Sequence, residues 1–141
     1  MSAFTIPFSG RPHNYTDHEI ELVVQMMASS ETLTQGVMQK NFEEKFAHYI
    51  GVNYAFAVSS ATAALELAAQ LCQIQPGEEV VVPGHTFTSS AYPFAKKGAK
   101  LIWADIDFES RVMGFDQFEK CITNKTRVVV VPHLYGYGAD M

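Results

Sequence analysis

The sequence has few cysteines and no motif that would bind a metal. Its two cysteines, Cys72 and Cys121, stand far apart in segments with helical patterns, and neither belongs to a C-x-x-C motif. No cluster of cysteine and histidine has the spacing of a zinc site. We therefore expect neither a structural disulfide nor a bound metal.

Blocks of one charge and long apolar runs are also missing. The ten Lys and Arg residues form no block beyond Lys96-Lys97, and the formal charge of -5 comes from scattered acids, which argues against a nucleic-acid partner. No apolar run reaches the roughly eighteen residues of a membrane helix. Residues Met1 to Ile6 lack the basic and apolar regions of a secretion signal. We expect a cytoplasmic protein that binds neither nucleic acid nor membrane.

The pattern of apolar residues predicts an α/β fold with a mostly parallel sheet. Two N-terminal helices are expected, the first capped by Thr16 or Asp17 and the second following Gly36 and ending at Gly51. From Tyr54 onward, short apolar runs alternate with helical stretches, as in strand-helix-strand units. The expected strands are Tyr54 to Val58, Glu79 to Pro83, Lys100 to Ala104 and Arg127 to Pro132; the helices between them are Thr62 to Cys72, Thr88 to Lys97 and Asp116 to Ile122.

Small and hydroxyl residues lead from the first expected strand into a helix, at Ser60-Ala61-Thr62. Exposed backbone N–H groups and the positive end of a helix dipole would favour an anion there, and the two hydroxyls could add hydrogen bonds. Because Ser and Thr are also ordinary N-caps, the segment by itself favours a plain helix start. Neither a P-loop nor a dinucleotide fingerprint occurs in the chain.

Other polar and aromatic residues follow the expected strands at the same carboxyl edge, where ligands bind in such sheets. Phe87 could stack on a flat heterocycle or pack under its own loop. His85, His133 and Tyr135 could reach a ligand or pack against their loops. Asp105 and Asp107 are favoured as caps of the following turn rather than as metal ligands. No serine nucleophile elbow or hydrolase triad is evident.

These segments, in their order and spacing, resemble the DegT/DnrJ/EryC1/StrS family of PLP-dependent (pyridoxal 5'-phosphate) aminotransferases. The resemblance covers nearly the whole chain. It rests on the following runs: Thr34-Gln35-Gly36, Phe42-Glu43, Phe46-Ala47, Tyr49 to Val52, Ala57 to Leu65, Pro76 to Val80, Pro83 to Phe87, Gly98-Ala99, Asp105-Ile106-Asp107, Thr123 to Thr126, His133 to Gly136, and Ala139 to Met141.

The resemblance implies a cofactor site and a reaction. The turn Ser60-Ala61-Thr62 would hold the PLP phosphate and Phe87 would stack on the pyridine ring, although Ala61 stands where such proteins often have glycine. The family transfers an amino group, typically from glutamate, to a keto group of a nucleotide-linked sugar, in active sites at a homodimer interface. Residues 1–52 would form an N-terminal helical segment and residues 53–141 part of the PLP-binding large domain.

The resemblance also implies that essential groups lie downstream of this sequence. PLP transamination needs a Schiff-base lysine and an acid beside the pyridine nitrogen, and no lysine of this chain stands at the matching place. We therefore assign no catalytic residue and expect an N-terminal fragment of the enzyme, inactive alone. Two alternatives are a non-catalytic half-domain that serves as a binding or dimerisation module, and an unrelated phosphate-binding protein.

Overall fold

A computed structural model of the chain describes residues 13–141. The first twelve residues, on which the expectation of no secretion signal depends, lie outside the described residues. The chain divides into two compact units, residues 1–57 and 58–141. No helix within the described range is both long and apolar enough to cross a membrane.

The described part of the first unit contains two helices, as the sequence predicts. Helix α1 (Asp17–Ala28) begins at the N-cap Thr16, which forms a reciprocal capping box with Glu19. Helix α2 (Val37–Ile50) follows Gly36 and ends at Gly51, whose φ of 80° is the left-handed conformation that glycine adopts without strain. Local capping chemistry thus sets the ends of both helices.

After α2 the chain turns back beside the helix. The N–H of Val52 donates to the carbonyl of Ala47 at 3.0 Å, and the N–H of Ala57 reaches the side chain of Glu43, one helical turn before Ala47. The strand predicted for Tyr54 to Val58 is wrong, because within the described residues this segment pairs with no strand. A strand requires a ladder partner, which sequence pattern alone does not reveal.

The second unit is a three-layer arrangement around a parallel sheet of three strands in the order β2-β1-β3. Its elements in chain order are α3 (Ala61–Leu71), β1 (Glu79–Pro83), α4 (Tyr92–Lys96), β2 (Lys100–Ala104), α5 (Phe115–Glu119) and β3 (Thr126–Val129), with 3-10 turns at Thr88–Ser90 and Leu134–Gly136. The α/β class predicted from the sequence is confirmed. The bounds of β1 and β2 agree with the prediction at both ends.

The core lies on both sides of the central strand β1, every residue of which is buried. Because side chains alternate along a strand, Val80 and Val82 pack with α3 and α4 on one face, and Val81 packs with Ala104 and Met113 on the other. Full burial of a valine side chain contributes about 1.5 to 3 kcal/mol. The three valines of β1 therefore form the strongest apolar anchor of the sheet.

Two predictions of local structure need correction. The single helix expected over Thr88 to Lys97 is a 3-10 turn followed by α4, since Pro93 lies in the first turn of α4 and favours a new helix start there. The four valines from Val128 to Val131, expected to be buried on both faces, are only half-buried. They occupy the edge strand β3 and its continuation, and within the described residues nothing pairs with the outer side of that strand.

Candidate functional site

The N-terminus of α3 is built by a serine cap. Ser60 has extended backbone angles, and its Oγ accepts a hydrogen bond from the N–H of Ala63 at 3.2 Å. The chain enters β1 at the amino edge of the sheet shortly after α3 ends. The N-terminus of α3 therefore points toward the opposite, carboxyl edge, where parallel sheets bind their ligands.

This helix start has the properties of an anion site. The N–H groups of Ala61 and Thr62 belong to the first turn, which has no intrahelical acceptors, and the first turn contains no acidic residue. Because the Ser60 oxygen accepts from Ala63, its hydroxyl hydrogen remains available to donate to an anion. Ser60 and Ala61 are exposed and Thr62 is half-buried, so an anion can approach the backbone closely.

The loop after β1 carries Phe87 on a tight turn. The carbonyl of Phe87 accepts from the N–H of Ser90 at 2.9 Å, and the Thr86 hydroxyl donates to the Ser90 Oγ at 2.9 Å. This turn packs against α3. The Phe87 side chain does not pack under its loop, because 70% of the residue surface is exposed. The ring is therefore exposed beside the turn that packs against α3.

The loops after all three strands meet at this edge. His85 lies in the loop after β1, and its Nδ1 is 3.2 Å from the carbonyl oxygen of Arg111, in the loop after β2. A carbonyl can only accept, so Nδ1 carries the hydrogen of this bond. The rings of His85 and Tyr135, which follows β3, have centroids 6.0 Å apart. The strand order explains this meeting, because β1 lies between the other two strands.

The remaining polar candidates act mainly within their own loops. The Nδ1 of His133 accepts from the N–H of Ala139 at 2.9 Å. Asp107 accepts from the N–H groups of Ser110 and Glu109, and these bonds, that of Ser110 first, hold the pKa of the Asp107 carboxyl below its usual value. Asp107 is therefore a turn residue, as favoured from the sequence. Among the described residues, no group of three metal-ligating side chains is present.

Sequence reasoning missed two contacts, one at the candidate site and one within the first unit. Arg111 has a left-handed φ of 63° and presents its carbonyl to His85. Glu43 on α2 accepts from the N–H of Ala57. Both contacts join residues distant in sequence. The sequence offers one local signal for the first contact, the turn that follows Asp107. It indicates a sharp turn near Arg111, but not that the Arg111 carbonyl contacts His85.

The fold and the site define a class: an α/β protein with a serine-capped helix start and an exposed aromatic ring at the carboxyl edge of a parallel sheet. The model of the DegT/DnrJ/EryC1/StrS aminotransferase family matches residues 14–141. The chain belongs to this family. The resemblance inferred from the sequence motifs is thereby confirmed.

Individual relatives agree with this assignment. The chain is 38% identical over 126 residues to GDP-perosamine synthase of Escherichia coli O157:H7, covering 89% of the chain and 35% of that protein. It is 34% identical to the spore coat polysaccharide biosynthesis protein SpsC of Bacillus subtilis, covering 98% of the chain and 34% of that protein. The chain thus spans about a third of the length of these relatives.

A solved structure is similar over nearly the whole chain. It is that of Spr1654 from Streptococcus pneumoniae, a protein assigned as a sugar aminotransferase, in its PLP-form. The TM-score is 0.86 at 35% sequence identity, covering 97% of this chain and 34% of that one. The fold described above is therefore shared with the corresponding part of that protein.

Proposed function

We propose that this protein is a PLP-dependent aminotransferase and that Ser60, Ala61 and Thr62 hold the cofactor phosphate. The observation that carries the proposal is the start of α3, where a serine cap, unpaired first-turn amides and a small residue form an anion site. The residues present fit a phosphate group, which prefers this kind of helix terminus. The confirmed family supplies the reason to choose PLP among phosphate ligands.

Each residue of the cradle has a distinct role in this proposal. The N–H groups of Ala61 and Thr62 donate to phosphate oxygens, and the helix dipole of α3 adds favourable potential. The hydroxyls of Ser60 and Thr62 donate further hydrogen bonds. Ala61 keeps the backbone accessible, since a larger side chain at this position would hold the anion away.

Phe87 orients the cofactor in the same proposal. Its ring is exposed and belongs to the turn packed on α3, so a pyridine ring held by its phosphate can stack against it. Offset stacking of aromatic rings contributes about 0.5 to 1.5 kcal/mol beyond burial. Phe87 thus sets the plane of the pyridine ring, and the phosphate cradle sets the position of the cofactor along the sheet edge.

The reaction and its partners belong to the proposal as well. When bound, PLP supplies the electron sink for amino-group transfer, and the residues assigned in this chain bind and orient it; none is assigned as catalytic. We infer a keto group of a nucleotide-linked sugar as acceptor, which the name of the GDP-perosamine synthase relative supports. The proposal includes glutamate as the donor, a homodimer and a cytoplasmic location, which the family resemblance supports.

Binding of PLP and of pyridoxal, which lacks the phosphate, tests the cradle. We expect PLP to bind at least roughly tenfold more tightly than pyridoxal, because phosphate hydrogen bonds are charge-assisted. Inorganic phosphate should compete with PLP. Equal affinity for the two ligands, or no competition by phosphate, would overturn the assignment.

The protein expressed at the full length that its gene encodes should then aminate a nucleotide-linked keto sugar with glutamate. The absence of an amine product would contradict the proposed reaction.

A further inference from the structure

Two hydroxyl side chains close the turn that carries Phe87. The Thr86 hydroxyl donates to the Oγ of Ser90 at 2.9 Å, and the N–H of Ser90 donates to the carbonyl of Phe87 at 2.9 Å. One bond joins side chains and the other joins backbone groups. Together they enclose Phe87 between two residues that are bonded to each other.

The bond between the hydroxyls connects this turn to the core. Ser90 is only 9% exposed, and the next residue, Ala91, belongs to the buried apolar cluster around β1. Thr86 is half-buried, and His85 before it is exposed and contacts the carbonyl of Arg111 in another loop. The bond from Thr86 to Ser90 therefore ties the start of the turn to a residue that the core holds.

The direction of the Phe87 ring depends on this backbone. Because 70% of the residue is exposed, the ring has little packing against the protein that would fix its direction. The rotamers open to a side chain depend on its backbone angles. A backbone held by the two bonds therefore limits the directions in which the ring can point.

We infer that Thr86 and Ser90 are positioning residues for the cofactor, which they orient through Phe87. This inference rests on the proposed function, because it concerns the ring proposed to stack on the pyridine of PLP. The Thr86 hydroxyl is engaged with Ser90, and Ser90 is buried, so neither hydroxyl contacts the cofactor in this role. Their bond orders the turn before the cofactor arrives, and less conformational freedom is then lost on binding.

The turn offers a conservative substitution and a matched control. Thr86→Val keeps the β-branched shape of the side chain and replaces the hydroxyl by a methyl group, whereas Thr86→Ser keeps the hydroxyl. Thr88, on the other side of Phe87, is exposed, and within residues 13–141 its hydroxyl has no protein partner. Thr88→Val therefore makes the same chemical change beside Phe87 without breaking the bond to Ser90.

The test follows the binding of PLP, pyridoxal and inorganic phosphate to the protein expressed at its full encoded length. Pyridoxal has the ring without the phosphate, and inorganic phosphate occupies the cradle without a ring. In Thr86→Val we expect the Kd for PLP and the Kd for pyridoxal to rise by the same factor, about threefold, because part of one aromatic stack is lost. The Ki of phosphate, measured by competition with PLP, should change less than about twofold.

A double-mutant cycle tests whether Thr86 acts through Phe87. The Kd for PLP of Phe87→Leu should not rise further when Thr86→Val is added, because the ring that Thr86 orients is already absent. Ser90→Ala should weaken PLP and pyridoxal as Thr86→Val does. Thr86→Ser and Thr88→Val should bind all three ligands as the unmodified protein does.

Three results would overturn the inference. The first is unchanged binding of PLP and pyridoxal by Thr86→Val, or an equal loss in Thr88→Val. The second is a loss of phosphate binding as large as the loss of PLP binding, which would mean that the hydroxyl pair only supports the fold of this edge. The third is a further loss of PLP binding when Thr86→Val is added to Phe87→Leu. If Thr86→Val fails to fold, Ser90→Ala decides by the same comparisons.

These outcomes are distinct from failure of the proposed function. If the unmodified protein does not prefer PLP over pyridoxal, the proposed phosphate cradle fails, and the pyridoxal comparison alone then decides the role of Thr86. If Phe87→Leu leaves the Kd for both ligands unchanged, the proposed stacking by Phe87 fails and the inference fails with it.

Discussion

Glu79, at the start of the buried strand β1, forms an ion pair with Lys100, at the start of β2, with Oε1 and Nζ 3.0 Å apart. Its second oxygen accepts from the hydroxyl of Thr123, in the turn before β3. One carboxylate, only 5% exposed, thus joins all three strands at the amino edge. This edge is opposite the candidate site.

The Glu79 cluster should make stability depend on acid pH. The Thr123 hydroxyl and then Lys100 hold the pKa of Glu79 below its ordinary value. A lowered folded-state pKa stabilises the protein above the ordinary glutamate pKa of about 4.3, and this contribution disappears as the pH falls through the folded-state pKa. When unfolding by urea is measured at several pH values, the free energy of unfolding of the unmodified protein should decrease as the pH falls. In Glu79→Gln this decrease should be smaller. Glu119→Gln, at an exposed position on α5, is the control; an equal change in both variants would contradict the prediction.

Two substitutions of Ser60 should separate capping from anion binding. Ser60→Ala removes the acceptor for the Ala63 N–H and should cost about 1 kcal/mol of stability as well as weaken PLP. Ser60→Asp retains a good N-cap but places a negative charge where the phosphate binds. It should be about as stable as the unmodified protein, yet lose nearly all preference for PLP over pyridoxal. Thermal unfolding measures the stability of each variant, and ligand titration measures its Kd for PLP and for pyridoxal. Tight PLP binding by Ser60→Asp would disprove the location of the cradle.

Phe87→Leu should change binding without changing the fold. Because the ring is 70% exposed, its loss should alter stability by less than about 0.5 kcal/mol. The Kd for PLP should rise about three- to tenfold, the range for one aromatic stack, and Phe87→Trp should restore it. Phe108→Leu changes another exposed phenylalanine, 78% exposed, in a different loop. If that control weakens PLP as much, stacking by Phe87 is not the cause.

Gly51→Ala should destabilise the end of α2 through the backbone alone. The position has a φ of +80°, and an added Cβ would meet no atom within 4 Å. An L-residue in the left-handed region costs about 1 to 2 kcal/mol. Gly51→Asn should cost less, because asparagine tolerates this region. Thermal unfolding measures the stability of both variants. Gly138→Ala is the control, because the added Cβ also meets no atom and φ is not left-handed there. It should have almost no effect on stability.

Much of the fold could be predicted because its signals are local. The bounds of β1 and β2 follow from apolar runs between turn residues, and Thr16, Ser60 and Gly51 terminate helices by chemistry that involves only near neighbours. The segment from Tyr54 to Val58 has the same apolar pattern as a strand, but strand formation depends on a partner distant in sequence. The pattern therefore predicted a strand that the described residues do not form.

The candidate site likewise has features that local sequence signals predict and others that they do not. The helix start at Ser60 and the exposed loop at Phe87 could be placed at one sheet edge from the order of strands and helices. The bond from His85 to Arg111 links residues 26 positions apart, and no periodicity indicates it. The roles of Ser60, Ala61, Thr62 and Phe87 toward PLP stay predictions until binding is measured.

The strand order has a consequence for how the sheet assembles. The paired residues Glu79 and Lys100 of β1 and β2 are 21 positions apart, whereas Glu79 and its β3 partner Thr126 are 47 apart (126 − 79). Closing the longer loop costs more entropy and delays the contact. As the chain emerges during synthesis, β1 and β2 can pair first, while α3 and α4 cover the face that carries Val80 and Val82. The strand β3 then adds the Thr123 hydroxyl to the Glu79 cluster, so a nascent chain released before Thr123 would hold the ion pair of Glu79 with Lys100 but lack the hydrogen bond to the second carboxylate oxygen.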